Sequence, residues 1–196
     1  MSKLLNKLSD SELVELLRQG GVGVLPTDTV YGLVCVAANP EAVERLYSLK
    51  KRDKKPGTVI AASTDQLVDL GIKARYLKPV EHYWPGAISI EIPHGVTYLN
   101  QETGRQAFRI TADKTLRTLL EKTGPLLTSS ANQPGEPPAN TVGEAQKYFG
   151  DGVDFYVDGG DLSGREASTV IRIVDDAVDI LRAGAVKINE AGEIEK

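Results

Sequence analysis

Cysteine is all but missing from these 196 residues, with Cys35 standing alone. No intrachain disulfide and no thiolate-built zinc site is therefore available. Histidine is nearly as scarce, at His82 and His94. That argues against a His-built metal centre and against a Ser-His-Asp hydrolase. No serine sits in a Gly-x-Ser-x-Gly elbow either. The chain is expected to hold no metal on ligands of its own. No apolar run approaches the length of a membrane span. The opening Met-Ser-Lys-Leu-Leu-Asn-Lys-Leu-Ser-Asp lacks the apolar stretch of a signal peptide. The expectation is a cytoplasmic protein without membrane contact. An excess of positive charge is missing too: 23 Lys and Arg against 27 Asp and Glu give a net charge of -4. A uniformly basic nucleic-acid coat is excluded, whereas a local basic patch is not. Neither a Walker A loop nor a GxGxxG fingerprint occurs.

What is present is the composition of a soluble globular protein, 41% hydrophobic and 26% charged. The length suits one domain over 1–196, with a core over about 10–184 and a polar, frayed tail at 187–196. Strand-like and helix-like runs alternate. Strands are expected at 22–25, 31–36, 58–62, 88–92, 107–110, 126–128, 155–157, 169–174 and 178–181. Helices are expected from the Ser9-Asp10-Ser11 start to Gly20, from Asn39-Pro40, after Thr64 as cap, after Asp113 as cap, and over 142–149. This alternation predicts an α/β domain of the α+β type: one mixed sheet with helices packed on it. Three polar loops, 26–29, 129–141 and 158–168, are where chemistry is expected.

Residues 50–55 read Lys-Lys-Arg-Asp-Lys-Lys, five cations in six positions. Such a run is ordinarily a solvated face. If the helix ends near Leu49, however, Lys50 and Arg52 point to one side of extended chain, a pairing suited to a triphosphate. Thr27, Asp28, Thr29 and Tyr31 crowd another strand end. They read either as a turn bonding its own backbone or as a small pocket for an amino acid. Ser130 and Asn132, again two apart, either cap a strand exit or face a ligand together. The glycine-rich stretch 158–168 is either a mobile surface loop or a lid ending at Ser168. Tyr83-Trp84-Pro85-Gly86 reads as packing plus a turn.

In this order, Pro26-Thr-Asp-Thr-Val-Tyr-Gly-Leu33, Lys50-Lys-Arg52, Trp84-Pro-Gly86, Arg109, Ser130-Ala-Asn132, Gly159-Gly160, Ser168-Thr-Val170 and Leu181-Arg-Ala-Gly184 resemble the YrdC-like family, over residues 13 to 184. Each segment is weak singly; the ordered set is specific. The length is similar to that of the short, single-domain TsaC type. The resemblance implies a twisted mixed β-sheet flanked by helices, with a concave, positively charged groove. It implies an L-threonylcarbamoyladenylate synthase, a nucleotidyltransferase using L-threonine, bicarbonate and ATP with Mg2+ and releasing pyrophosphate. The product would serve threonylcarbamoyladenosine formation on tRNA, with a TsaD-type transferase downstream. By the same resemblance Lys50, Arg52, Ser130 and Asn132 form the catalytic tetrad. Lys50, Arg52, Asn132, Asn140 and Arg182 would bind ATP, and Thr29, Arg109, Ser130 and Ser168 would bind threonine, with Arg109 on its carboxylate.

The chain departs from the family pattern at Asp53, at Ala61 in place of a histidine, at Ile110-Thr111 after Arg109, and at Pro134-Gly135 after Asn132. These departures bear on amino-acid selectivity more than on nucleotide binding. Two other readings stand beside the enzyme: a module binding tRNA or double-stranded RNA through phosphates, and a carbamoyl-transfer domain with another acceptor. Arg109 and Ser168 favour the enzyme, because RNA binding needs no carboxylate clamp, and the net charge of -4 points the same way.

Overall fold

A strand buried on both faces carries apolar residues at successive positions, and those positions divide between two layers of core. The computed structural model describes residues 1–51, 54–175, 177–189 and 191–195. The strands are β1 Lys3–Leu5, β2 Gly23–Pro26, β3 Tyr31–Val36, β4 Thr58–Ala61, β5 Ile88–Pro93, β6 Arg105–Ile110, β7 Leu126–Ser130, β8 Phe155–Val157, β9 Thr169–Val174 and β10 Ala177–Arg182. The helices are α1 Ser11–Arg18, α2 Pro40–Leu49, α3 Thr64–Asp69, α4 Ala74–Leu77, α5 Thr97–Asn100, α6 Lys114–Thr123 and α7 Val142–Phe149. The strands form one mixed sheet in the order β1-β8-β2-β3-β7-β4-β6-β5-β9-β10. β4 runs parallel to β6 and β5 to β9, while β3, β7 and β4 alternate in direction. This is the mixed, helix-flanked sheet that the alternation of runs predicts.

Helix starts follow from side-chain caps. Asp10 accepts from the Glu12 N–H, Asn39 from Ala42, Asp113 from Leu116 and Thr141 from Glu144. At α3 the cap is Ser63, which accepts from Gln66 N, and Thr64, expected as the cap, is the first helical residue. Pro40 opens α2, where its missing N–H is no loss.

The two core layers show why the site lies where it does. Val24, Leu33, Cys35, Val59 and Leu127 pack with Val43 and Leu46 of α2 and Phe149 of α7. The alternate residues Leu25, Val34, Ile60 and Leu126 pack with Leu13 and Leu17 of α1 and Leu116, Leu119 and Leu120 of α6. No residue of this second group comes from β5, β6, β9 or β10. Helices α1 and α6 therefore cover one half of their sheet face and leave the other half open. Burial pushes the Cys35 thiol far up, so it remains a neutral core side chain.

Three features escape the sequence reading. β1 is only three residues long, and its pairing with β8 is entirely non-local. α4 and α5 are single turns without a side-chain cap. The tail expected to fray folds back instead: Ile188 bridges Ile194, and the Gly192 carbonyl accepts from the Tyr83 hydroxyl at 2.5 Å. Tyr83 thus serves packing, as its cluster implies, and Trp84 Nε1 closes the turn on the Ile88 carbonyl at 2.9 Å.

Phe108 is fully buried between β4 and β5 and meets His94 edge to face at 5.3 Å. Phe108→Ala should lower the unfolding free energy by about 3–5 kcal/mol. Urea unfolding with an unchanged slope checks this, and a loss below about 1 kcal/mol would contradict the assigned core.

Candidate active site

On the open half of the face, strand alternation delivers polar residues where the covered half delivers leucines. Arg105, Ala107 and Arg109 of β6, Glu91 of β5, Val170 and Arg172 of β9 and Thr128 and Ser130 of β7 line one cleft of about 450 Å3. Thr29 from the β2–β3 turn, Ser168 just before β9 and Arg182 at the end of β10 complete it. Lys54 also lines it, so the described lining carries five basic side chains against the single acid Glu91, which pairs with Arg172 at 2.5 Å. Two glycines keep the floor open. A Cβ at Gly32 would stand 2.5 Å from Thr128 Oγ1, and one at Gly57 the same distance from the Thr128 carbonyl. A second cleft of about 440 Å3, lined by Lys50, Lys51, Lys55, Asn132, Pro134 and Gly135, shares Ser130 with the first.

Helix α2 ends at Leu49, as the basic-turn reading requires, and Lys50 is its C-cap. Its side chain does not project into open groove. The residue is 4% exposed. Its ammonium donates to the Ser130 carbonyl at 2.8 Å, the Asn132 carbonyl at 2.5 Å and Asn132 Oδ1 at 2.8 Å. Ser130 Oγ donates to the same Oδ1 at 2.7 Å, and Asn132 Nδ2 donates to the Glu136 carbonyl at 2.5 Å. Lys50 thus fixes the turn that follows β7 and places a positive charge beneath it. The other half of the expected cationic pair, Arg52, lies outside the described residues.

Arg109 is the buried cation of the first cleft, 3% exposed. Its Nη2 donates to Asp28 Oδ1 at 2.8 Å, and the Asp28 side chain is itself only 9% exposed. Its Nη1 donates to Ser89 Oγ at 3.3 Å. Ser89 and Ser168 hydroxyls lie 2.8 Å apart, and Arg182 grips Ser168 through both its carbonyl and its hydroxyl. A continuous polar chain therefore runs from Asp28 through Arg109, Ser89 and Ser168 to Arg182. Two of its buried atoms, Asp28 Oδ2 and Arg109 Nε, have no hydrogen-bond partner among the described residues.

The β2–β3 turn is partly the self-bonded turn its composition suggests. Thr27 Oγ1 donates to the Val30 carbonyl at 2.7 Å, accepts from Thr29 N at 3.1 Å and lies 3.0 Å from Thr29 Oγ1. Asp28 departs from that pattern, because its carboxylate reaches across to Arg109. The 158–168 stretch is anchored at several points. Tyr31 OH accepts from Gly159 N and donates to the Gly160 carbonyl, both at 2.8 Å. Leu162 is buried and its N–H bonds the Asn140 carbonyl at 2.8 Å. Burial pushes the Tyr31 phenol up, the Gly159 N–H opposes this, and Asp158 and Asp161 add to it. Tyr31 stays a hydroxyl that can donate.

Thr29, Arg109, Ser130, Ser168 and Arg182 come together in the first cleft, and Lys50, Ser130 and Asn132 in the second. Asn140 lines neither cleft; its backbone carbonyl accepts from Leu162 N. Ser89 is the participant that sequence reasoning did not assign to a ligand site, and Asp28, read there as turn or amino-acid pocket, serves as the counter-charge of Arg109. The Ile88-Ser-Ile-Glu-Ile92 alternation held a signal, but alternation reads the same for a cleft face as for a solvent face.

Removing one member of a buried ion pair strands the other. Asp28→Ala should therefore lower the unfolding free energy by about 3–5 kcal/mol, and the double variant with Arg109→Met should recover much of that loss. Urea unfolding of these variants and of Arg109→Met alone measures it; a double-variant loss equal to the sum of the two single losses would show that the pair is not coupled.

Comparison with known proteins agrees with this architecture. The Sua5–YciO–YrdC family model, described as telomere recombination, matches residues 15–184. A Coxiella burnetii threonylcarbamoyl-AMP synthase is 37% identical over 161 residues, covering 77% of this chain and 85% of the relative. A Pseudomonas aeruginosa threonylcarbamoyl-AMP synthase is 34% identical over 163 residues, covering 80% and 88%. Among solved structures, P. abyssi Sua5 complexed with L-threonine superposes with a TM-score of 0.82 at 24% identity, over 95% of this chain and 58% of that one. E. coli YciO gives 0.79 at 24% identity over 94% and 96%. The chain belongs to the Sua5–YciO–YrdC family.

Proposed function

We propose that this chain is a threonylcarbamoyl-AMP synthase, forming threonylcarbamoyl-AMP and pyrophosphate from L-threonine, bicarbonate and ATP. The observation that carries the reading is the convergence of Thr29, Arg109, Ser130, Ser168 and Arg182 on one cleft, joined through Ser130 to the Lys50–Asn132 turn. The identity of about a third to the curated synthases supports it.

In this reading Arg109, Ser168 and Thr29 hold the amino acid, with the guanidinium on its carboxylate. A buried arginine suits that task because its fork is planar and permanently charged. The threonine amine, once deprotonated, attacks the carbon of carbon dioxide formed from bicarbonate and gives a carbamate. A carbamate oxygen then attacks the α-phosphorus, the bond to the bridging oxygen breaks, and pyrophosphate leaves with that electron pair. No protein nucleophile is needed. The chemistry asks for alignment and for positive charge where phosphate charge grows. Arg182 and Arg52 supply cations to the nucleotide, while Asn132 Nδ2 and the Ser130 hydroxyl oxygen, held by Lys50, place a donor, an acceptor and charge at the junction of the clefts. Among the described residues no cluster of three acidic, His or Cys side chains could cage a metal. The one acid lining the cleft, Glu91, pairs with Arg172. The donor set therefore fits magnesium arriving on the ATP phosphates, where it would neutralise charge, rather than on a site of the protein.

The product, a mixed carbamic–phosphoric anhydride, calls for a carbamoyl transfer to consume it. A TsaD-type transferase acting on tRNA fits that chemistry. No helix among the described residues is long and apolar enough to cross a membrane.

Pyrophosphate release should require threonine, bicarbonate and ATP together, and omission of any one should abolish it; release without threonine would contradict the reading. Arg109→Lys should raise KM for threonine about tenfold or more while leaving KM for ATP within about twofold, because a point charge replaces a fork. Equal changes in both constants would remove the carboxylate clamp.

A further inference from the structure

Arginines are donors only, and a serine hydroxyl has one hydrogen and two lone pairs. Arg109 Nη1 donates to Ser89 Oγ at 3.3 Å, and Arg182 Nη2 donates to Ser168 Oγ at 3.1 Å. The two hydroxyls are 2.8 Å apart, so one donates to the other. Their distances leave the direction open; burial does not. Ser89 is 0% exposed, and among the described residues its hydroxyl has no partner beyond Arg109 and Ser168. If Ser168 donated, the Ser89 hydrogen would be stranded in that enclosed position, which buried hydroxyls avoid. If Ser89 donates, both of its bonds are made. Each lone pair of Ser168 is then taken, by Ser89 and by Arg182, and the Ser168 hydrogen turns to the cleft that the residue lines.

We propose that Ser89 is a positioning residue that fixes Ser168 as a hydrogen-bond donor to the cleft, so that this corner takes the carboxylate of an α-amino acid and disfavours its neutral amide. The proposal rests on the amino-acid role assigned to the cleft above. Ser89 lies behind Arg109 and Ser168 and is not among the residues lining the cleft. Its effect passes through the orientation of two side chains that are. Arg109 and Ser168 both present hydrogens to the corner, and Ser168 Oγ keeps no lone pair for an amide NH2. A carboxylate oxygen accepts from both; an amide NH2 placed there brings its own hydrogens against them.

The test is calorimetric binding of L-threonine and of L-threonine amide to the wild-type chain, Ser89→Ala and Ser89→Cys. Cysteine keeps the volume but is a weak donor and acceptor. Threonine should bind about tenfold more weakly to both variants, while the amide changes by less than about twofold, because the released Ser168 oxygen can accept from it. The preference for the acid thus narrows about tenfold. A purely structural role would weaken both ligands alike. Should Ser89→Ala fail to fold, Ser89→Cys carries the measurement. An unchanged preference in a folded variant overturns the proposal while leaving the amino-acid site standing. No threonine binding by the wild-type chain would overturn the proposed function itself.

Discussion

A guanidinium buried in a protein must be given a counter-charge and acceptors for its hydrogens, or it will not stay buried. Arg109 meets that constraint incompletely. Asp28 supplies the charge through one oxygen, and Ser89 supplies one neutral acceptor. Asp28 Oδ2 and Arg109 Nε, both buried, have no hydrogen-bond partner among the described residues. The cation is thus held in one orientation by Asp28 and Ser89 while it lines the cleft. That combination lets one side chain act as part of the core and as a recognition group.

The rest of the site is arranged around it by sheet geometry. Helices α1 and α6 seal only half of their face. The strands that continue beyond them carry Glu91, Arg105, Arg109 and Arg172 at the positions where leucine or valine would otherwise stand. Ser130 sits at the boundary, common to both clefts. Lys50 works differently from the arginines. Its ammonium is spent on the Ser130–Asn132 turn, so it shapes the passage between the clefts and lends charge to it without reaching outward. In the proposed function, an amino acid on one side and a nucleotide reaching across Ser130 suit a reaction that needs two bound partners brought into line.

Much of this was legible in the chain. Strand β3 over Tyr31–Val36 and helix α7 over Val142–Phe149 follow from local period and caps, and the structure reproduces both. The motif set placed Thr29, Arg109, Ser130, Asn132, Ser168 and Arg182 in or beside one site. Legibility failed where structure is non-local or too short to carry a period. β1 is defined by pairing with a strand some 150 residues away, Lys3 opposite Phe155. The tail closes on itself through Ile188 and Ile194 and is tied to the domain by Tyr83, a contact more than a hundred residues away in sequence. Asp28 sits in a turn whose threonines bond locally, and nothing nearby in sequence reveals that its carboxylate crosses to a strand 81 residues on. Ser89 hides in an alternating strand, where a polar residue reads as solvent-facing.

The central claim is that the Arg109–Ser168 corner receives the amino-acid carboxylate while the nucleotide reaches across Ser130. A crystal structure of the chain with L-threonine and a non-hydrolysable ATP analogue tests it most directly. The account predicts carboxylate oxygens about 3 Å from Arg109 and from the Ser168 hydroxyl, with the amine turned towards the α-phosphate. Threonine bound with its carboxylate facing solvent, or a triphosphate occupying the Arg109 corner, would contradict it.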